Sequence, residues 1–145
     1  MTHKITLPLS SDWRVEEEVI KEQGEDVISY YATAESSADD SFKGASIELY
    51  LGNSPENSSA EMECINSYVE AFNVQDENED IPVREIRILG QDGYYYDAED
   101  ENGSPVIVIC VETQPGTLLM AILAAADEGK LDNLLSLVDE NLKIA

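Results

Sequence analysis

The chain has 145 residues, of which 31 are Asp or Glu and 8 are Lys or Arg, a formal net charge of -23. A surface of this sign repels nucleic-acid backbones and anionic membranes, which leaves basic protein surfaces or cations as its natural partners. A hydrophobic share of 43% fills a core, which excludes a wholly disordered chain and predicts a single domain over residues 1–145.

In chain order, Lys4 to Leu9 reads as a short strand closed by Pro8 and the turn-forming Ser10-Ser11-Asp12. Trp13 to Ile20 is a second strand candidate, weakened by Glu16-Glu17-Glu18. After Gly24, Val27 to Thr33 alternates with Ile28, Tyr30 and Ala32 on one face. A polar, acidic loop follows over Glu35 to Gly44. Ala45 to Leu51 alternates most cleanly, with Ala45, Ile47, Leu49 and Leu51 inward and Ser46, Glu48 and Tyr50 outward. That is the signature of a half-buried antiparallel strand.

Asn53-Ser54-Pro55 ends this strand, and Ser58 with Glu61 forms a capping box for a helix. Met62, Ile65, Val69 and Phe72 give that helix one apolar stripe, and it is expected to stop near Asn73. Beyond the acidic loop Asp76 to Asp80, a meander begins. Val83 to Leu89 is a strand, Gly90-Gln91-Asp92-Gly93 a turn, and Tyr94 to Ala98 the returning strand. Asn102-Gly103, two residues that tolerate positive φ, signals the next hairpin. The unbroken apolar run within Pro105 to Glu112 predicts a strand covered on both faces, and Pro115-Gly116 turns the chain again. Leu, Met and Ala content favours helix over Thr117 to Ala126, whereas its place after a meander favours strand. We read it as strand. Leu131, Leu134, Leu135, Val138 and Leu142 mark a final amphipathic helix from Gly129 to Lys143, whose terminal lysine complements the helix dipole.

Cys64 and Cys110 lie within apolar patterns and read as buried reduced thiols, although spacing alone does not rule out a disulfide. Met1 to Pro8 has no signal-peptide character, and no segment reaches the roughly 18 apolar residues of a membrane span. A cytoplasmic location is therefore expected, where the sequons at Asn57 and Asn102 carry no glycan.

Catalytic arrangements are scarce. Ser-His-Asp and Cys-His chemistry needs an imidazole, and the only histidine is His3, near the N-terminus. Neither a Gly-x-Ser-x-Gly elbow nor a phosphate-binding Gly-x-x-x-x-Gly-Lys-Ser/Thr loop is present. Zinc would need Cys or His clustering that the chain lacks. Asp97 to Gly103 superficially resembles a calcium loop, but an EF-hand register puts Ala98 and Ile109 at essential ligand positions. The expectation is a protein that is not an enzyme and holds no cofactor and no specific metal.

Tyr94-Tyr95-Tyr96 is the one unusual aromatic run, and in a strand Tyr95 faces opposite to its neighbours. Tyrosine is enriched in protein interfaces, and the acidic run from Asp97 follows directly. The candidate protein-contact residues are thus Tyr95, Asp97, Glu99, Asp100 and Glu101. Core packing by the tyrosines and plain solvation of the acidic loops are the competing explanations. Adaptation of the whole surface to high salt is another.

An N-terminal strand with Pro8 then Trp13, a ladder at Ala45–Leu51, a helix, a meander with Gly90 and Gly93 at its first turn, and an amphipathic helix running into Ile144 follow in order. This order resembles the PsbP-like α/β/α sandwich, which includes photosystem oxygen-evolving proteins, Ran-binding nuclear transport factors and small bacterial proteins. The resemblance implies a non-enzymatic scaffold that binds other proteins, some bacterial members acting as chaperones or adaptors. No residue of this chain matches a binding motif of that family, so the resemblance assigns no site. The expected fold is therefore α+β, a predominantly antiparallel sheet flanked by two main helices. The expected function is a non-catalytic acidic protein-interaction module, adaptor or chaperone-like. Alternatives are an immunity or inhibitor protein that mimics nucleic-acid charge against a basic toxin, and a weak cation-binding protein.

Overall fold

The clean alternation from Ala45 to Leu51 sits near the middle of a seven-stranded sheet in which every neighbouring pair is antiparallel. The computed structural model describes residues 5–9, 11, 13–22, 25–34, 42, 44–53, 59–75 and 81–144. Its elements in chain order are β1 (Ile5–Thr6), β2 (Trp13–Glu22), β3 (Glu25–Ala34), β4 (Ser46–Asn53), α1 (Ala60–Ala71), β5 (Arg84–Ile88) and β6 (Gln91–Glu99). They continue with β7 (Pro105–Gln114), β8 (Thr117–Ala124), α2 (Glu128–Asn141) and β9 (Lys143–Ile144). Across the sheet the order is β2-β3-β4-β8-β7-β6-β5, and β1 pairs with β9 in a separate two-stranded ribbon.

Two antiparallel meanders, β2-β3-β4 and β5-β6-β7-β8, thus meet along the β4–β8 seam, with α1 as the connection between them. The helices lie on opposite faces. Under α2, Leu131, Leu134 and Val138 pack on Ile47, Leu49, Leu51, Ile109, Val111, Leu119 and Leu123, and Ile5 and Leu7 close the same layer. The Tyr30 hydroxyl donates to the Leu7 carbonyl at 3.5 Å, tying the N-terminal segment down. Under α1, Ala60 and Cys64 meet Tyr96, Val108 and Cys110. Among the described residues, β7 alone runs through both layers with every residue from Ile107 to Val111 buried, as its unbroken apolar run predicts. Thr117–Ala124 is a strand, because the sheet offers it two neighbours along its full length and pairing overrides its helical propensity.

Several local expectations need correction. Ser58 lies outside the described residues, and the N-cap of α1 is Ser59, whose hydroxyl accepts from the Met62 amide at 3.2 Å. With the cap at Ser59, Glu61 is one residue short of the position that closes a capping box. The face of α1 that meets the sheet is not the predicted stripe. Small residues, Ala60 and Cys64, are buried and admit the close approach, while Met62 and Phe72 are about half exposed, at 49% and 47%. Asn73 does end the helix, with φ at 51°.

The first turn of the second meander is Leu89-Gly90, not residues 90–93: both have positive φ, and Ile88 pairs with Gln91. The Leu89 amide donates to Asp139 Oδ1 of α2 at 2.7 Å, so the helix fastens the turn. Gly93 serves a different purpose, because a Cβ there would stand 3.0 Å from the Cys110 carbonyl oxygen. Asn102-Gly103 does mark the expected hairpin, between β6 and β7. The hairpin closes at Glu99 and Pro105, and only Gly103 takes positive φ. Finally, α2 runs over Glu128–Asn141 behind an Asp127 N-cap, and Lys143 belongs to β9, paired with Thr6, rather than to the last helical turn.

Candidate functional site

Strand alternation places the five candidate contact residues. Tyr95 and Asp97 pair with Ile109 and Ile107, which puts them, with Glu99, on the α2 face, whereas Tyr94 and Tyr96 lie under α1. Tyr95 is half-buried against the α2 core, so much of its ring is already used in packing. Asp97 and Glu99 are exposed beyond it. Asp100 and Glu101 are exposed in the hairpin loop, where the Asp100 carboxylate accepts from the amides of Asn102 and Ser104 at 2.8 and 2.9 Å. The region is therefore an acidic corner, one of whose carboxylates is committed to its own turn. Of the two other acidic segments, Asp76 to Asp80 lies outside the described residues, as does Glu35 to Gly44 apart from Phe42 and Gly44.

A second surface emerges from the pairing register. On β4 and β8 the residues facing α2 are buried, whereas their alternates are only half-buried. The reason is coverage: among the described residues α1 packs chiefly over β6 and β7, rather than over β2, β3, β4 and β8 on the same face. Cross-strand pairing there sets Glu16, Tyr31, Glu48 and Ile122 in one row, and Glu18, Ser29, Tyr50 and Met120 in the next. Tyr31 thus has a carboxylate-bearing neighbour on each side. Arg14, Glu16, Tyr31 and Thr33 line a shallow groove of about 220 Å³ at the edge of this surface, with Arg14 and Glu16 3.5 Å apart.

The sequence holds a signal for this face that composition alone does not rank. Glu48 and Tyr50 are two of the three outward positions of the best-patterned strand, and both are half-buried. What the sequence lacks is the strand order, which alone brings Glu16 and Glu48 to either side of Tyr31.

Titratable groups in the layers respond to their surroundings. Burial, and then the nearby Glu48 and Tyr31, push the Tyr50 phenol above its ordinary value. Tyr96 is raised by burial, against the opposing effect of its 2.8 Å hydrogen bond with Ser67. Cys64 on α1 and Cys110 on β7 are both free and fully buried. The hydrogen bond between the two thiols, reinforced by burial, pushes Cys110 well above the ordinary thiol range, so it keeps its proton. Among the described residues, no three His, Cys, Asp or Glu side chains group as a metal centre would require. No helix among them is long and apolar enough to cross a membrane.

These elements define an α+β sandwich: one seven-stranded antiparallel sheet between two helices, the helix on one face covering chiefly β6 and β7 among the described residues. No protein-family model, curated protein or solved structure matches the chain.

Proposed function

We propose that the protein is a non-catalytic, acidic interaction module, adaptor or chaperone-like, whose partner presents a basic protein surface. The observation that carries this reading is the charge: eight cationic side chains set against 31 carboxylates leave most of the acids without a basic partner in the chain. Such a field accelerates encounter with a basic partner and disfavours nucleic acid and anionic membranes. The ion pairs Arg87–Asp92 and Lys130–Asp127 lie at the surface, where they contribute little to stability.

The PsbP-like resemblance belongs to the same proposal, supported by the helix-on-each-face arrangement. So does a cytoplasmic location, supported by two cysteines kept as thiols. The test is affinity capture at low ionic strength with the intact chain as bait, followed by titration of each purified candidate. The expected partner has a basic surface and an association rate that falls steeply with salt. A stoichiometric partner with no basic surface and no salt dependence overturns the reading, as does turnover of a small molecule by the purified protein.

A further inference from the structure

We infer that the β2-β3-β4-β8 half of the α1-side sheet face, centred on Tyr31 and Tyr50, is the docking surface of this module, and that its occupant is an arginine-bearing segment of a basic partner protein. The inference rests on the function proposed above and names the surface and the chemistry within it. Half-buried Met120 and Ile122 on a central strand extend the α1-side core beyond the strands that α1 chiefly covers, as an apolar floor. Tyr31, 37% exposed, lies in the same cross-strand row as Ile122, one strand removed, with Glu16 and Glu48 as its direct neighbours. Glu16 is paired with the chain's own Arg14 at 3.5 Å, but that pair is largely exposed and holds weakly. A ring between two carboxylates therefore still suits an incoming guanidinium, whose plane stacks on the ring while its N–H groups reach Glu48 and share Glu16.

Charge selects this occupant over the others. A second copy of the chain would bring Glu16 and Glu48 against their own counterparts under a net charge of -23 on each molecule. A nucleic acid or an anionic membrane meets the same repulsion. The acidic corner at Asp97 to Glu101 is a weaker candidate, because Tyr95 is packed on the core and Asp100 holds its own turn.

A fluorescently labelled synthetic oligoarginine peptide, titrated into the full chain at low and at physiological salt, tests the inference. The decisive variants, Tyr31→Ser and Tyr50→Ser, leave the net charge unchanged, so diffuse attraction survives them. Each is expected to weaken binding about two- to fivefold, and Tyr31→Phe to restore it. The double variant Glu16→Gln/Glu48→Gln is expected to weaken binding more than Asp97→Asn/Glu99→Gln, although both remove two charges. Thermal unfolding of every variant shows whether it is folded. Should Tyr50→Ser lose its cooperative transition, Tyr31→Ser alone decides, since that ring is the more exposed.

Equal affinity for wild type and folded tyrosine variants overturns the inference. So does a loss that follows the Asp97/Glu99 pair instead, which leaves the interaction reading standing with another surface. A dimer in sedimentation that the tyrosine variants abolish overturns it in favour of a second copy. Failure of wild type to bind the peptide even at low salt removes the proposed function itself.

Discussion

At the scale of single residues, several polar groups that look available are occupied. Asp100 accepts two backbone amides, so Asp100→Ala is expected to cost about 1 kcal/mol of folding free energy, read as a lower urea midpoint. The same variant should leave affinity for a basic peptide nearly unchanged. The tyrosines give a second expectation. Tyr30 is raised by burial and by Glu17, Tyr50 by burial and by Glu48, and Tyr96 by burial. The folded state therefore keeps protons that the unfolded chain releases near pH 10. Stability is full below that pH and falls as pH rises through the folded-state values, because the unfolded form then binds fewer protons. Urea midpoints between pH 8 and 11, with phenolate absorbance recorded in parallel, check the sign; a midpoint that climbs over this range contradicts it. Residue identity made the alternation of Tyr94, Tyr95 and Tyr96 legible from the chain alone. The Asp139–Leu89 bond was not, since nothing local links positions 50 apart.

At the scale of elements, α1 shows where pattern reading succeeds and where it slips. Its existence and its stop at Asn73 follow from spacing and propensity. Its buried face does not, because bulk hydrophobicity points to Met62 and Phe72 while close packing on the sheet selects small Ala60 and Cys64. Phe72 still touches the layer at its rim, its ring 6.2 Å from that of Tyr96. This packing predicts that Cys64 and Cys110 resist a thiol-alkylating reagent in the native state and both react once α1 is unfolded by urea. Two adducts by mass spectrometry in buffer alone, at the rate of a free thiol, would contradict the packing. The second strand teaches the complementary lesson. Glu16-Glu17-Glu18 lowers its intrinsic preference, yet β2 pairs with β3 from Trp13 to Glu22. On an edge, such charges also discourage strand addition by another copy.

At the scale of the whole molecule, fold class, the β-rich second half and the final helix were readable in the sequence, because each has a strong local period. The strand order was not, and with it went the surface around Tyr31, which exists only where β2, β3 and β4 lie side by side. Global charge supplies the remaining expectation. Self-repulsion among 23 excess negative charges opposes the compact state, so the melting temperature should rise by several degrees between low and roughly molar sodium chloride. A melting temperature indifferent to salt would show that the carboxylates are spaced or paired well enough to cancel the effect.

The seam between the two meanders carries a consequence for how the chain reaches this shape. Within each meander the strands pair with chain neighbours, but aligning Leu49 with Ala121 closes a loop of about 70 positions. That closure is expected to be the slow step of folding. Until it happens, β4 and β8 each offer a raw apolar edge, so a newly made chain is most prone to clump with its neighbours in the interval before the halves latch.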